Sequence, residues 1–254
     1  MGMQQRKGHY QVDSVCGIRE HKTEPRRRKP KERIMGLIYS AGMSCNKFDV
    51  APNHGRTKFL VDVPHDGDNI DELNPLYNEI TGLYYMWKHH GETDYVGLEH
   101  YRRAIWDVSN THLLEPDEID NILKTNDIIL TDKYVAFSGT MDRYCMPFNY
   151  YTNHIEHMNE LHEGFGDFYK SYMCTHYPIE FSWTNMFIAR TPVADEYCTM
   201  LFSLCSKIKP PEGAKRFFGY CCEKLLSPWS AFKGLKVYHG RIHVYSEKPA
   251  SAGY

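Results

Sequence analysis

Five consecutive residues, Glu99-His100-Tyr101-Arg102-Arg103, bring an acid, an imidazole, a phenol and two guanidiniums to one point of the chain. A planar guanidinium can bind two oxygens at once, so paired arginines suit a phosphate-bearing ligand. Glu99 offers the hard oxygen that a divalent cation prefers, and His100 could assist it. Two other carboxylates have the chemistry of a general base, which must lie close to the hydroxyl it deprotonates. They are Glu223, within the run 218–226, and Glu79, upstream of the arginines. Asn185 sits in the apolar run 183–188, where an amide is costly unless it is hydrogen-bonded. It either meets a ligand hydroxyl or satisfies a neighbouring backbone group.

These residues need elements to position them. The stretch before the acid, Tyr95-Val96-Gly97-Leu98, is apolar and reads as a buried strand over 94–99. In open α/β sheets, ligands bind at the carboxyl ends of strands, which is where this run would stand. A first strand is expected over 34–40, a second over 58–63, and a turn at Gly67-Asp68-Asn69. The clearest helix covers 74–88, with Asn74 as its N-cap, Pro75 at its first position, and Leu76, Ile80, Leu83 and Trp87 on one face. A helix from Pro116 leads to a strand over 127–131, and the irregular region 133–178 holds helices near 151–162 and 165–174. A strand over 184–190, a helix from Pro192, a loop at 210–213, a helix over 215–227 and one or two strands over 235–245 complete the chain. Strands alternating with helices predict an α/β fold with a mainly parallel central sheet flanked by helices.

Several function classes find no support. There is no Gly-x-x-x-x-Gly-Lys-Ser/Thr and no Gly-x-Gly-x-x-Gly, so neither a P-loop nor a Rossmann site is indicated. His154 and His157 share a helical face but have no evident third ligand, and none of the eight cysteines forms a Cys-x-x-Cys pair. Reduced thiols in a cytoplasmic chain are expected. No apolar run approaches the length of a membrane span and no secretory leader opens the chain, so contact with a membrane would be peripheral. Residues 1–33 hold ten Lys or Arg against four Asp or Glu and are expected to form a basic, disordered tail, with the folded domain at 34–254. The rest of the chain is acidic, which argues against nucleic acid as the partner. Nineteen tyrosines suit a cleft for sugars, whose apolar faces stack on rings while their hydroxyls need hydrogen bonds.

The ordered combination of segments resembles one family. Gly67-Asp68-Asn69-Ile70, the run 74–88 and Tyr95-Val96-Gly97-Leu98-Glu99-His100-Tyr101-Arg102-Arg103 look like signatures of the domain of unknown function 4422 family. The runs 127–130, 185–188, 195–198 and 218–226 follow in that family's order, and the likeness covers about 58–245. The resemblance implies a GT-A-like glycosyltransferase of capsular or exopolysaccharide synthesis, with galactofuranose as one candidate sugar. It would take a nucleotide-sugar donor, of which a UDP-sugar is the expected kind, and a glycan or lipid-linked acceptor at the inner face of the membrane. By position, Asp68, Asn69, His100, Tyr101, Arg102 and Arg103 would hold the donor diphosphate, and Asn185 and Trp183 the acceptor or sugar. Glu223 would stand near the base of an inverting enzyme, with Glu79 the second candidate. Any Mn²⁺ or Mg²⁺ would sit on Glu99, although a metal-independent enzyme is equally compatible. The alternative reading is a non-catalytic protein that binds a nucleotide sugar or glycan.

Overall fold

A computed structural model describes residues 36–45, 55–136, 179–182, 184–210, 212–223 and 225–245. The basic tail, the helices expected near 151–162 and 165–174, and Trp183 lie outside the described residues. Ten strands and six α-helices are described: β1 Gly36–Gly42, β2 Arg56–Leu60, α1 Asn74–Tyr77, α2 Ile80–His89, β3 Tyr95–His100, β4 Arg103–Trp106, α3 Pro116–Leu123, β5 Ile128–Leu130, β6 Tyr134–Ala136, β7 Ile179–Phe181, β8 Phe187–Arg190, α4 Thr191–Cys205, α5 Phe217–Cys222, α6 Leu226–Phe232, β9 Val237–His239 and β10 Arg241–Val244.

The central sheet runs β2-β1-β3-β8-β5-β9. β2, β1 and β3 pair in parallel, as do β5 and β9, while β8 runs antiparallel to both β3 and β5. The sheet is therefore mixed but mostly parallel, with β8 reversed against its neighbours. β4 turns back from the end of β3 at the pair His100–Arg103 and pairs antiparallel with β10. β6 and β7 form a separate two-stranded sheet.

Strand alternation divides the core into two layers. Val96 and Leu98 pack with Ile80, Leu83 and Met86 of α2 and with Tyr197, Leu201 and Leu204 of α4. Tyr95 faces the opposite side, with Ile38, Ile105, and Ile119 and Leu123 of α3. Gly97 allows β3 and β8 to approach: a Cβ there would lie 2.7 Å from the Phe187 carbonyl oxygen. α3 begins where its sequence signals place it. Glu115 and Glu118 form a reciprocal capping box around Pro116.

Two expected helices are divided. The one over 74–88 breaks at Asn78, whose φ of 52° and ψ of −128° leave the helical region, and it resumes as α2. Asn74 is the first helical residue and not the cap; Leu73 takes that place. The helix expected over 215–227 is two short ones, α5 and α6. Both divisions bear on the site.

Candidate active site

A cleft of about 440 Å³ opens at the carboxyl ends of β1 and β3. Its lining brings Glu79 and Glu223, which are remote in sequence, to the consecutive His100, Tyr101, Arg102 and Arg103. Ala41, Gly42 and Met43 form the wall at the end of β1, and Asn74, Pro75, Asn78 and Arg216 the wall opposite the strand ends.

The arginine turn is pinned by backbone. The Tyr101 N–H donates to the Ala41 carbonyl at 2.8 Å, and the Tyr245 N–H donates to the Arg102 carbonyl at 2.9 Å. Arg102 lies over the Tyr101 ring with its guanidinium carbon 5.7 Å from the centroid. Among the described residues no carboxylate pairs with Arg102, Arg103 or Arg216. Three guanidiniums at one cleft without carboxylate partners make a receptor for a multiply charged anion.

Arg216 was not anticipated. It precedes α5 in a left-handed conformation, φ 56° and ψ 21°, and its N–H donates to the Pro75 carbonyl at 2.7 Å. With the Asn78 amide oxygen turned toward Arg216, that oxygen accepts from Nε and, at 3.1 Å, from Nη2. Asn78 and Arg216 are both non-glycine residues at positive φ, a conformation that persists only where surroundings impose it and that clusters at functional sites. The break that divides the expected helix thus turns Asn78 to the cleft, where it holds an arginine. Arg216 falls inside the helix expected over 215–227, where nothing in the sequence sets it apart.

Glu79 follows the break and precedes α2. One of its oxygens, Oε1, accepts from the Asn185 amide Nδ2 at 2.8 Å. The same nitrogen donates to the Gly219 carbonyl of α5 at 3.1 Å. Because Nδ2 faces two acceptors, the orientation of the Asn185 amide is settled by its partners. Asn185 is buried and is not itself part of the cleft lining; it ties the start of β8 to Glu79 and to α5.

His100 reaches the same carboxylate less closely. Its Nε2 lies 3.9 Å from Glu79 Oε1, with the two side chains 14 % and 13 % exposed, and it has no hydrogen-bond partner. Burial lowers the His100 pKa, with Arg103 and Arg102 adding to that and Glu79 and Glu99 opposing it. The imidazole is therefore neutral at physiological pH.

Glu99 stands elsewhere than the expected metal position. It alternates away from His100 along β3 and is buried behind the sheet. Arg56 donates to it from Nε at 2.9 Å and from Nη2 at 3.2 Å, and the Ile105 N–H donates at 2.9 Å. Both oxygens are engaged in holding β2, β3 and β4 together. Asp68 and Asn69 also stay outside the cleft lining. Asp68 accepts from the Tyr84 hydroxyl, and Asn69 closes its own turn through the His65 and Gly67 carbonyls. Among the described residues no three His, Cys, Asp or Glu side chains gather as metal ligands, and no helix is long and apolar enough to cross a membrane.

The fold and cleft define an α/β protein with an arginine-lined mouth at its strand ends, and its architecture has a counterpart among solved structures. The chain is similar to a structure described as "WbbM bifunctional glycosytransferase apo structure", with a TM-score of 0.65 and 19% identity. The match covers 86% of this chain and 48% of that one, so this chain spans about half the length of the protein it matches. No curated protein matches. Residues 50–234 match the family described as Domain of unknown function (DUF4422), and the chain belongs to that family.

Proposed function

We propose that this protein is a GT-A-like glycosyltransferase that moves a sugar from a nucleotide-diphosphate donor to a hydroxyl of a glycan or lipid-linked acceptor. The observation that carries this reading is the cleft at the ends of β1 and β3, where Arg102, Arg103 and Arg216 lack carboxylate partners among the described residues. A diphosphate leaving group gathers negative charge as its bond to the sugar breaks. Guanidiniums fixed in advance around that charge lower the barrier without reorganising. A carboxylate of the same cleft, Glu79 or Glu223, takes the proton of the attacking hydroxyl, and displacement on the opposite face inverts the sugar carbon. The family resemblance and the likeness to a glycosyltransferase structure support the same class. Galactofuranose as the sugar, a capsular or exopolysaccharide product, and work at the cytoplasmic face of a membrane belong to this reading.

The residues present do not fit a divalent metal at the expected place. Glu99 is consumed by Arg56 and the Ile105 N–H, and the three cleft guanidiniums would repel a cation. In this reading those guanidiniums neutralise the diphosphate themselves.

Calorimetric titration with UDP in EDTA tests the proposal. Losing one charge-assisted contact costs about 1.5–3 kcal/mol, so Arg102→Ala and Arg103→Ala are each expected to weaken UDP about 10- to 100-fold. Unchanged affinity in folded variants would sink the anion-site assignment. Release of UDP from a panel of UDP-hexoses then separates a transferase from a protein that only binds its ligand.

A further inference from the structure

Glu79 and His100 approach each other at a distance that invites a third atom. A separation of 3.9 Å is too long for a direct hydrogen bond. One oxygen about 2.8 Å from each side can bridge it, with an angle of about 90° at that oxygen. The remaining geometry fits such a guest. His100 Nε2 is buried without a partner, and such an atom persists in a native site where a ligand or water completes it. Glu79 Oε1 accepts from Asn185 and, as a carboxylate oxygen, keeps a second acceptor position. Both side chains line the cleft that holds the three arginines.

We propose that the attacking hydroxyl oxygen sits between Glu79 Oε1 and His100 Nε2, that Glu79 is the catalytic base, and that Asn185 is its positioning residue. The assignment rests on the transferase reading and chooses between the two carboxylates that reading left open. As the hydroxyl oxygen forms its bond to the anomeric carbon, its proton passes to Glu79. The bond from that carbon to the diphosphate oxygen breaks, and its electron pair leaves with the nucleoside diphosphate, whose charge Arg102 and Arg103 meet. Asn185 does not touch substrate. Its two donated bonds, to Glu79 and to the Gly219 carbonyl, keep the carboxylate aimed at the gap and join it to the helix that follows Arg216.

The test uses the full chain, the UDP-hexose it turns over fastest, and UDP release as the readout, beside calorimetric UDP binding. Glu79→Gln is expected to lower kcat about 100- to 10,000-fold while UDP affinity stays within about 3-fold. Glu79→Ala is expected to regain activity with added formate, which supplies a carboxylate in the emptied space; a merely structural glutamate would not respond. Asn185→Ala is expected to lower kcat with the donor KM nearly unchanged. Asn185→Asp, which keeps the shape and turns a donor into a second negative charge, serves if the alanine variant does not fold. Parental kcat in Glu79→Gln, absence of formate rescue, or parental kcat in both Asn185 variants would overturn the assignment while leaving the transferase reading intact. A wild-type protein that binds UDP but releases none from any donor would overturn the transferase reading and this assignment together.

Discussion

Arg56 and Glu99 are 1% and 2% exposed at their side chains, and each is the other's neutraliser across β2 and β3. Breaking a buried pair by removing one partner leaves an uncompensated charge and costs about 3–5 kcal/mol. Arg56→Met is expected to lower stability by about that amount in urea unfolding. The double variant Arg56→Met, Glu99→Met is expected to recover most of the loss, because the orphaned carboxylate is gone. A single variant as stable as the parent would show that the pair is not what holds Glu99. The pair also accounts for the absence of Glu99 from the cleft lining. Glu99 and His100 are adjacent in sequence, but successive residues of a strand point to opposite faces. The parity of Tyr95-Val96-Gly97-Leu98-Glu99-His100 places one on each face of the sheet. Arg102, Arg103, His100, Tyr101, Glu79 and Glu223 do meet at one cleft, since each was chosen for chemistry that needs a mouth at the strand ends.

The strand that leads into the arginine turn depends on a glycine. A side chain at Gly97 would put its Cβ 2.7 Å from the Phe187 carbonyl oxygen and 2.9 Å from Ile188 Cγ1, and the first of these is backbone that cannot swing aside. Gly97→Ala is expected to cost about 1–3 kcal/mol, as overpacking does, read as a lower urea midpoint. A variant with the parental midpoint would show that β3 and β8 separate easily. Elements with strong local signals were legible in the sequence: α3 from its capping residues and proline, β3 and β5 from short apolar runs, α4 from its apolar stripe behind Pro192. The reversal of β8 was not, because strand direction is a property of pairing between distant segments and leaves no local trace. Nor was the break at Asn78, where the apolar periodicity of 76, 80, 83 and 87 continues across a residue that departs from the helix. An asparagine tolerates positive φ better than most residues, but only the Arg216 contact shows why it adopts it here.

The molecule as a whole keeps neutral acids deep in its main core. Tyr77, Tyr197, Cys198 and Cys222 are buried, and desolvation is the leading cause that pushes each of their pKa values up. In the unfolded chain the thiols ionise near pH 8.5 and the phenols near pH 10. Above those values the unfolded state gives up protons that the folded state retains, so stability is full below about pH 8 and declines as pH rises. The urea midpoint is expected to fall between about pH 8.5 and 11, the cysteines contributing first and the tyrosines later. A flat profile over that range would mean that these groups are solvated in the folded protein. Of the cysteines among the described residues, Cys198, Cys205, Cys221 and Cys222 are buried as core residues and Cys45 is exposed.

The bond from Asn185 to Glu79 joins positions 106 apart in the chain, and it has a consequence in time. A ribosome adding about 5–20 residues per second needs roughly 5–20 s to cover that interval. Through that time β1, β2, β3 and α2 exist without their partner, and the Glu79 carboxylate has nothing to hold it. The mouth of the protein is thus completed only when the segment from Asn185 to Glu223 has been made. A chain halted before Asn185 would carry Arg102 and Arg103 but neither Arg216 nor the partner that holds the Glu79 carboxylate.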